Sequence, residues 1–264
     1  FALAFVYALL YSFGIVGAAN NGFTLAFWKS VWLSGNFLES LLYSSVIAFI
    51  ATVISVVIAL AFTVLFHKKL DNNLLSYLIY LPLCIPGVVA AFLTVQILSK
   101  SGFVSRLTHR IGLTDSINSF PDMVNDPYAL GIILTFVSVV MPFFLLLFLS
   151  VYKNERIEDL SQLATSLGAN SWQVTWRIRI QVLLHKTWTL IALYFIFLLG
   201  AYEVPLILGQ ESPQMLSVLI VRELKQYDLT KISEGYVIAV MYTVIVTILT
   251  ILLFSRQKKL QVNG

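Results

Sequence analysis

The sequence predicts an all-α integral membrane protein of six transmembrane helices, with a polar elbow between the fourth and fifth. Three observations carry that expectation. The 264 residues are 59% hydrophobic and only 11% charged, with a mean hydropathy of +0.88, whereas a soluble domain carries roughly 25% charged residues. Apolar runs of about 18 residues or more recur along the chain, each long enough to cross a hydrocarbon core of roughly 30 Å as a helix. Between those runs Lys and Arg are unevenly shared, as charges that set topology are.

The simplest parse places spans at about 1–19, 38–66, 75–98, 128–152, 187–208 and 235–254. Pro82, Pro86 and Pro142 fall inside the third and fourth, where neighbouring helices can satisfy the freed carbonyls, so kinks are expected there. One set of connecting segments holds Lys68, Lys69, Lys153, Arg156, Arg177, Arg179, Lys186, Arg256, Lys258 and Lys259, ten bases against the four acids Asp71, Glu155, Glu158 and Asp159. The opposite set holds Lys29, Lys100, Arg106, Arg110, Arg222, Lys225 and Lys231, seven bases against the eight acids Glu39, Asp115, Asp122, Asp126, Glu211, Glu223, Asp228 and Glu234. The first set is therefore expected to face the cytoplasm, with both termini inside. Two outer segments, 99–127 and 209–234, have room for short helices on the outer face. No repeat or second soluble domain interrupts the chain, which reads as one domain over 1–264.

Charge and aromatic content have plain explanations. The net charge of +4 sits between spans, and Trp28, Trp32 and Trp188 sit near membrane edges where amphipathic rings are favoured, so nucleic acid is not an expected partner. Lone Cys84 lies in an apolar run and offers no disulfide framework. His67, His109 and His185 fall on different loops, so neither a metal site nor a catalytic set is expected. The sequence opens on Phe1 rather than Met, so residues are expected to precede it.

The segment 153–186 is the longest inside stretch. Ile157, Leu160, Leu163, Ala164 and Leu167 recur at helical spacing, Gly168 interrupts, and Asn170 with Gln173 has the form of a capping box opening a second helix. The pattern predicts helix, glycine turn, helix, with the corner pointing away from the membrane. Gly168 alone would read as a helix C-cap; its spacing to Ile178 favours a more specific role.

That spacing resembles the cytoplasmic loop of permease subunits of ABC importers, which runs Glu-Ala-Ala, three residues, Gly, nine residues, Ile, one residue, Leu-Pro. Here Gln162-Leu163-Ala164 is followed by Gly168, Ile178 and Ile180-Gln181, and Leu167-Gly168-Ala169-Asn170-Ser171-Trp172 is similar to the family's run at the turn. The departures are Gln162 for Glu, Leu163 for Ala and Gln181 for Pro. Losing the glutamate removes one charged contact with a partner, and losing the proline makes a smoother helical entry to the fifth span. The runs Leu81 to Val89, Met141-Pro142-Phe143 and Ala201-Tyr202-Glu203-Val204-Pro205 also resemble this family, the last its polyamine, iron and thiamine branch.

The resemblance implies the permease fold of type I ABC importers, six transmembrane helices with a cytoplasmic coupling helix between the fourth and fifth. It implies a bacterial inner-membrane protein working with a second, non-identical permease, two ATP-binding cassette subunits and a periplasmic or lipid-anchored solute-binding protein, all within membrane lipid. The chain has no Walker-type phosphate loop, so ATP and Mg would belong to the ATPase partners and no cofactor to this chain. Residues Gln162, Leu163, Ala164, Leu167, Gly168, Ala169, Asn170, Trp172 and Ile178 would form the ATPase contact. The implied solutes are polyamine first, then iron(III), thiamine or an organophosphonate.

Glu203 is expected within the fifth span, where an ionisable group is by default a functional candidate. Its alternative is to bond backbone freed by Pro205. Tyr202, Tyr194 and Gln96 are candidates for the same pathway, with interhelical packing as the alternative. A secondary transporter or channel would need several intramembrane acids or paired broken helices, and only Glu203 qualifies. A membrane enzyme would need a convergent catalytic set, which the sequence lacks.

Overall fold

The computed structural model describes residues 2–17, 22–70, 79–114 and 119–262. Positions 1, 18–19 and 75–78 of the expected spans, and Asp71 and Asp115 of the charge pattern, lie outside them. The described elements are helical: α1 Ala2–Ser12, α2 Ala26–Ser34, α3 Asn36–Leu70, α4 Gly87–Leu98, α5 Phe103–Arg110, α6 Leu130–Asn154, α7 Ile157–Ser166, α8 Ser171–Leu199, α9 Glu203–Leu208, α10 Leu216–Leu224 and α11 Leu229–Val262. A short tight turn, Leu81–Cys84, precedes α4.

Five stretches among the described residues are long and apolar enough to cross a bilayer: Asn36–His67, Gly87–Arg110, Leu130–Asn154, Ser171–Leu199 and Leu229–Ser255. They correspond to the second to sixth expected spans. The first is represented by α1, whose 11 residues extend roughly 16 Å at 1.5 Å per residue. It packs against α11, where the Tyr11 and Tyr236 rings stack with centroids 4.2 Å apart.

Helices α3 and α6 form the most extensive pair in the bundle. The face of α3 turned inward carries many small residues, Ser44, Ala48, Ala51, Thr52, Ser55, Ala59 and Thr63, all buried beside Ile47, Val56 and Leu60. In the same core stand Phe136, Phe144 and Phe148 of α6. Small residues let helix backbones approach closely where the hydrophobic effect gives no net pull between helices. The seam's hydroxyls add no unsatisfied group, because Thr52, Ser55 and Thr63 donate to the carbonyls of Ala48, Ala51 and Ala59 at 2.7–2.8 Å. Leu42, Val46, Phe49, Val53 and Val57 form the outward, lipid-ready face.

A second, smaller core joins Val31 of α2, Phe37 of α3, Leu216 and Leu219 of α10, and Val237 and Ile238 of α11. The Leu216 N–H donates to Ser44 Oγ at 2.7 Å, fixing α10 to α3. Asp228 opens α11 by accepting from the Thr230 N–H at 2.9 Å and hydroxyl at 2.7 Å, an N-cap. Those bonds hold its carboxyl below the usual carboxylate range.

The small-residue seam makes a clear prediction. Ala51→Leu, at a fully buried position, should destabilise the detergent-solubilised protein by about 1–3 kcal/mol through overpacking. Val57→Leu on the outward face should leave thermal unfolding nearly unchanged.

Candidate functional site

The elbow between α6 and α8 combines a capped turn with a cluster of polar contacts at its root. Helix α6 ends at Asn154 with Glu155 as its C-cap, and Arg156, with φ of 48°, turns the chain so that α7 starts at Ile157. Helix α7 ends at Ser166 with Leu167 as its C-cap. Gly168 then takes φ of +91°, a left-handed conformation that costs a residue with a Cβ roughly 1–2 kcal/mol. A Cβ there would meet open space, so backbone angle and not packing selects glycine.

Asn170 accepts from the Gln173 N–H at 2.8 Å, and Gln173 Oε1 accepts from the Asn170 N–H at 3.0 Å. This is the reciprocal capping box expected from sequence. From Ser171 the helix continues through a wider π-type segment, Thr175–Ile180, into Gln181–Leu199 without a break. The smooth entry expected from Gln181 in place of proline is thus observed, and the arm that follows the turn is one rod with the fifth crossing.

The corner displays apolar side chains to the outside. Leu163 is 61% exposed, Leu167 84% and Trp172 69%, with Trp176 beside Trp172 at 5.3 Å between ring centroids. Gln162 is exposed with them, Ala164 and Ala169 are half-buried, and Ile178 is half-buried on the rod. Apart from Trp176 these are sequence-selected residues; those from Gln162 to Trp172 flank one turn, and Ile178 stands further along the rod.

What sequence reading missed lies at the elbow's root. Glu158 Oε2 accepts from the Tyr152 hydroxyl at 2.9 Å and lies 3.4 Å from His67 Nε2 and 3.8 Å from Arg179 Nη2. Arg179 Nε donates to buried Ser161 Oγ at 3.2 Å, and the His67 ring stacks on Tyr152 at 4.6 Å. Side chains of α3, α6, α7 and α8 therefore meet on one carboxylate. Lys186 of α8 adds a strut to Glu155 at 2.9 Å. No sequence pattern links residues 67, 152, 158 and 179; the only available hint was an acid in the first turn of a helix beneath a run of bases.

The pathway candidates separate. A cleft of about 460 Å³ is lined by Gly87, Phe136, Val140, Phe197, Tyr202 and Glu203, among others. Glu203 does not lie within the fifth span: the helix stops at Leu199, and Glu203 begins the separate helix α9. Its Oε2 accepts from the Val88 N–H at 3.1 Å, in the first turn of α4, where backbone donors lack intrahelical partners. A Cβ on Gly87 would come within 3.3 Å of that oxygen, so glycine gives the carboxylate its room. Tyr194 is outside the cleft lining, in an aromatic cluster with Phe143 at 4.4 Å and Phe144 at 5.2 Å. Gln96 is exposed on α4 and also outside the cleft lining.

Comparison with known proteins adds the following. The family described as "Binding-protein-dependent transport system inner membrane component" matches residues 51–261. The chain is 24% identical over 216 residues to "Probable sulfate transport system permease protein cysT" of Marchantia polymorpha, covering 79% of this chain and 71% of that protein. It is 27% identical over 187 residues to the protein of the same name from Chlorokybus atmophyticus, covering 70% of this chain and 59% of the relative. Among solved structures, it is similar to a chain of a bacterial alginate ABC transporter in complex with an alginate pentasaccharide-bound periplasmic protein. That match has TM-score 0.72 and 17% identity, covering 98% of this chain and 88% of the other. A second structure, of a bacterial ABC transporter that imports the acidic polysaccharide alginate, matches with TM-score 0.71 and 16% identity over 97% and 89%.

Glu203→Ala should lower stability in detergent by about 0.5–2 kcal/mol, the usual cost of losing a helix-end acceptor, whereas Glu203→Gln, which keeps an acceptor oxygen, should unfold close to wild type. Equal losses in both variants would show that the charge, and not the hydrogen bond to Val88, is what matters.

Proposed function

The chain belongs to the binding-protein-dependent transport system inner membrane component family, and from that membership we propose that its elbow is the handle through which an ATPase drives the membrane helices. The protein is a permease subunit of an ABC importer, a multi-pass membrane protein and not an enzyme. The observation that carries the proposal is the corner itself. Leu163, Leu167 and Trp172 stand exposed on a capped, glycine-turned elbow whose root is held by Glu158.

Two ATP-binding subunits would close on ATP and Mg and push the corner, and the continuous rod 171–199 would carry the push into the bundle. A rigid element with two arrangements is what alternating access requires. The elbow end faces the cytoplasm in this reading, with both termini on that side, and a second, non-identical permease completes the pathway. The exposed glutamine at 162 would replace a charged contact with a neutral one. The outer segments would receive the solute-loaded binding protein.

For the solute, both curated relatives carry a sulfate-transport name, and we take a small sulfate-like oxyanion as the solute class. This replaces the polyamine-first order drawn from the run Ala201 to Pro205. The run's acid, Glu203, is engaged at the start of α4, where the positive end of the helix dipole offsets its charge. Uptake of labelled sulfate by the assembled transporter, competed by unlabelled oxyanions and not by spermidine, is the expected result; competition by spermidine alone would overturn the oxyanion reading.

Gentle-detergent isolation of the tagged chain should bring down an ATPase. Gly168→Leu should reduce solute-stimulated ATP hydrolysis about tenfold, within the roughly 5–150-fold range of coupling between sites, while Gly168→Asn, which adopts left-handed backbone more readily, should retain most of it. Normal stimulation in Gly168→Leu would count against the coupling role.

A further inference from the structure

Helix α5 is built inside out for a helix in water. Ser105, at the protein-facing side, is 1% exposed, while Phe103 is 63% exposed, Leu107 46% and Ile111 61%. Those three residues are four apart, so they form one stripe along the outward face. Arg106 and Arg110, also four apart and exposed, run along the flank of that stripe. Leu113, 72% exposed, continues the apolar surface beyond the helix.

Chain connectivity fixes the depth of this helix. The apolar stretch Gly87–Arg110 is broken at Ser99–Gly102, and its first charge falls in that break at Lys100, which pairs with Asp122 at 3.1 Å with both side chains about half exposed. The apolar-to-polar border of the bilayer therefore falls near the end of α4. Gly102 turns the chain there, and it must be glycine: a Cβ would stand 2.7 Å from the Ile97 carbonyl oxygen and 2.9 Å from that of Gln96. Helix α5 starts at the next residue, at that border.

An apolar stripe with a basic flank, held at the bilayer edge, is the design of a helix lying in the interface plane. We propose that α5 docks on anionic phospholipid, with Phe103, Leu107 and Ile111 in the outer acyl layer and the guanidinium groups of Arg106 and Arg110 on lipid phosphates. Arg suits this task because its planar donor fork matches phosphate oxygens. Neither the ATPase contact nor the solute class enters this inference; within the outer segment 99–127 it assigns only the stripe of α5 to lipid and leaves the rest of that segment to the binding protein.

The test uses the full chain in its assembled transporter. With Cys84, the only cysteine, replaced by Ala, Leu107→Cys is labelled with an environment-sensitive fluorophore. The complex is reconstituted into phosphatidylcholine vesicles with and without phosphatidylglycerol, doped with a lipid spin-labelled near its headgroup. Blue-shifted emission, loss of most fluorescence to the spin label, and deeper quenching with phosphatidylglycerol are expected. Arg106→Gln with Arg110→Gln should abolish that added quenching. Polar, unquenched emission in both vesicles would overturn the proposal. So would quenching that is identical with and without phosphatidylglycerol, or quenching seen in the isolated chain but shielded in the assembled transporter, which would assign the stripe to a protein partner.

Discussion

An elbow that projects from a membrane bundle can move the bundle only if it is stiff at its root, and here the stiffness converges on Glu158. One carboxylate takes a hydrogen bond from Tyr152 on α6 and faces His67 on α3 and Arg179 on α8. Any one such pair near a surface contributes roughly 0–1 kcal/mol. Their value is geometric: three helices share one anchor, so α7 cannot tilt without moving its neighbours. The Asn170–Gln173 box and the unbroken rod 171–199 carry the same stiffness along the other arm.

The membrane imposes the second constraint, that backbone groups in hydrocarbon find partners within the protein. Helix α3 meets it with its own backbone ladder, and the buried hydroxyls Thr52, Ser55 and Thr63 on its small-residue seam find partners by donating to carbonyls one turn back. Among the described residues, two of the breaks in helix, at Ile85–Pro86 and around Gly200–Tyr202, adjoin. Glu203 beside the second break bonds Val88 beside the first, and the cleft opens between them. Interrupted helices lining a cavity are where irregular backbone is tolerated inside a membrane protein, so the stitch and the cleft are two aspects of one arrangement.

Much of this was legible in the sequence because the signals were local. Apolar runs marked five of the crossings, Gly168 marked the turn, and Asn170 with Gln173 marked the cap, each readable within a few residues. Fifth-span limits were not: the apolar run continues from Leu199 to Leu208, so hydropathy could not see that the helix breaks at Gly200 and restarts at Glu203. Nor could hydropathy choose between pathway and packing for Tyr194, because its ring partners Phe143 and Phe144 come from another helix. Glu203's true partner is 115 residues away, and the Glu158 anchor draws on residues from 67 to 179; only tertiary packing brings them together.

In the coupling reading a cytoplasmic ATPase grips the corner at Leu167. A photo-crosslinking residue placed there in intact membranes tests it most directly. The account predicts a nucleotide-sensitive crosslink to an ATP-binding subunit, whereas crosslinking to lipid alone, or reaction of that position with a reagent confined to the extracytoplasmic side, would contradict it.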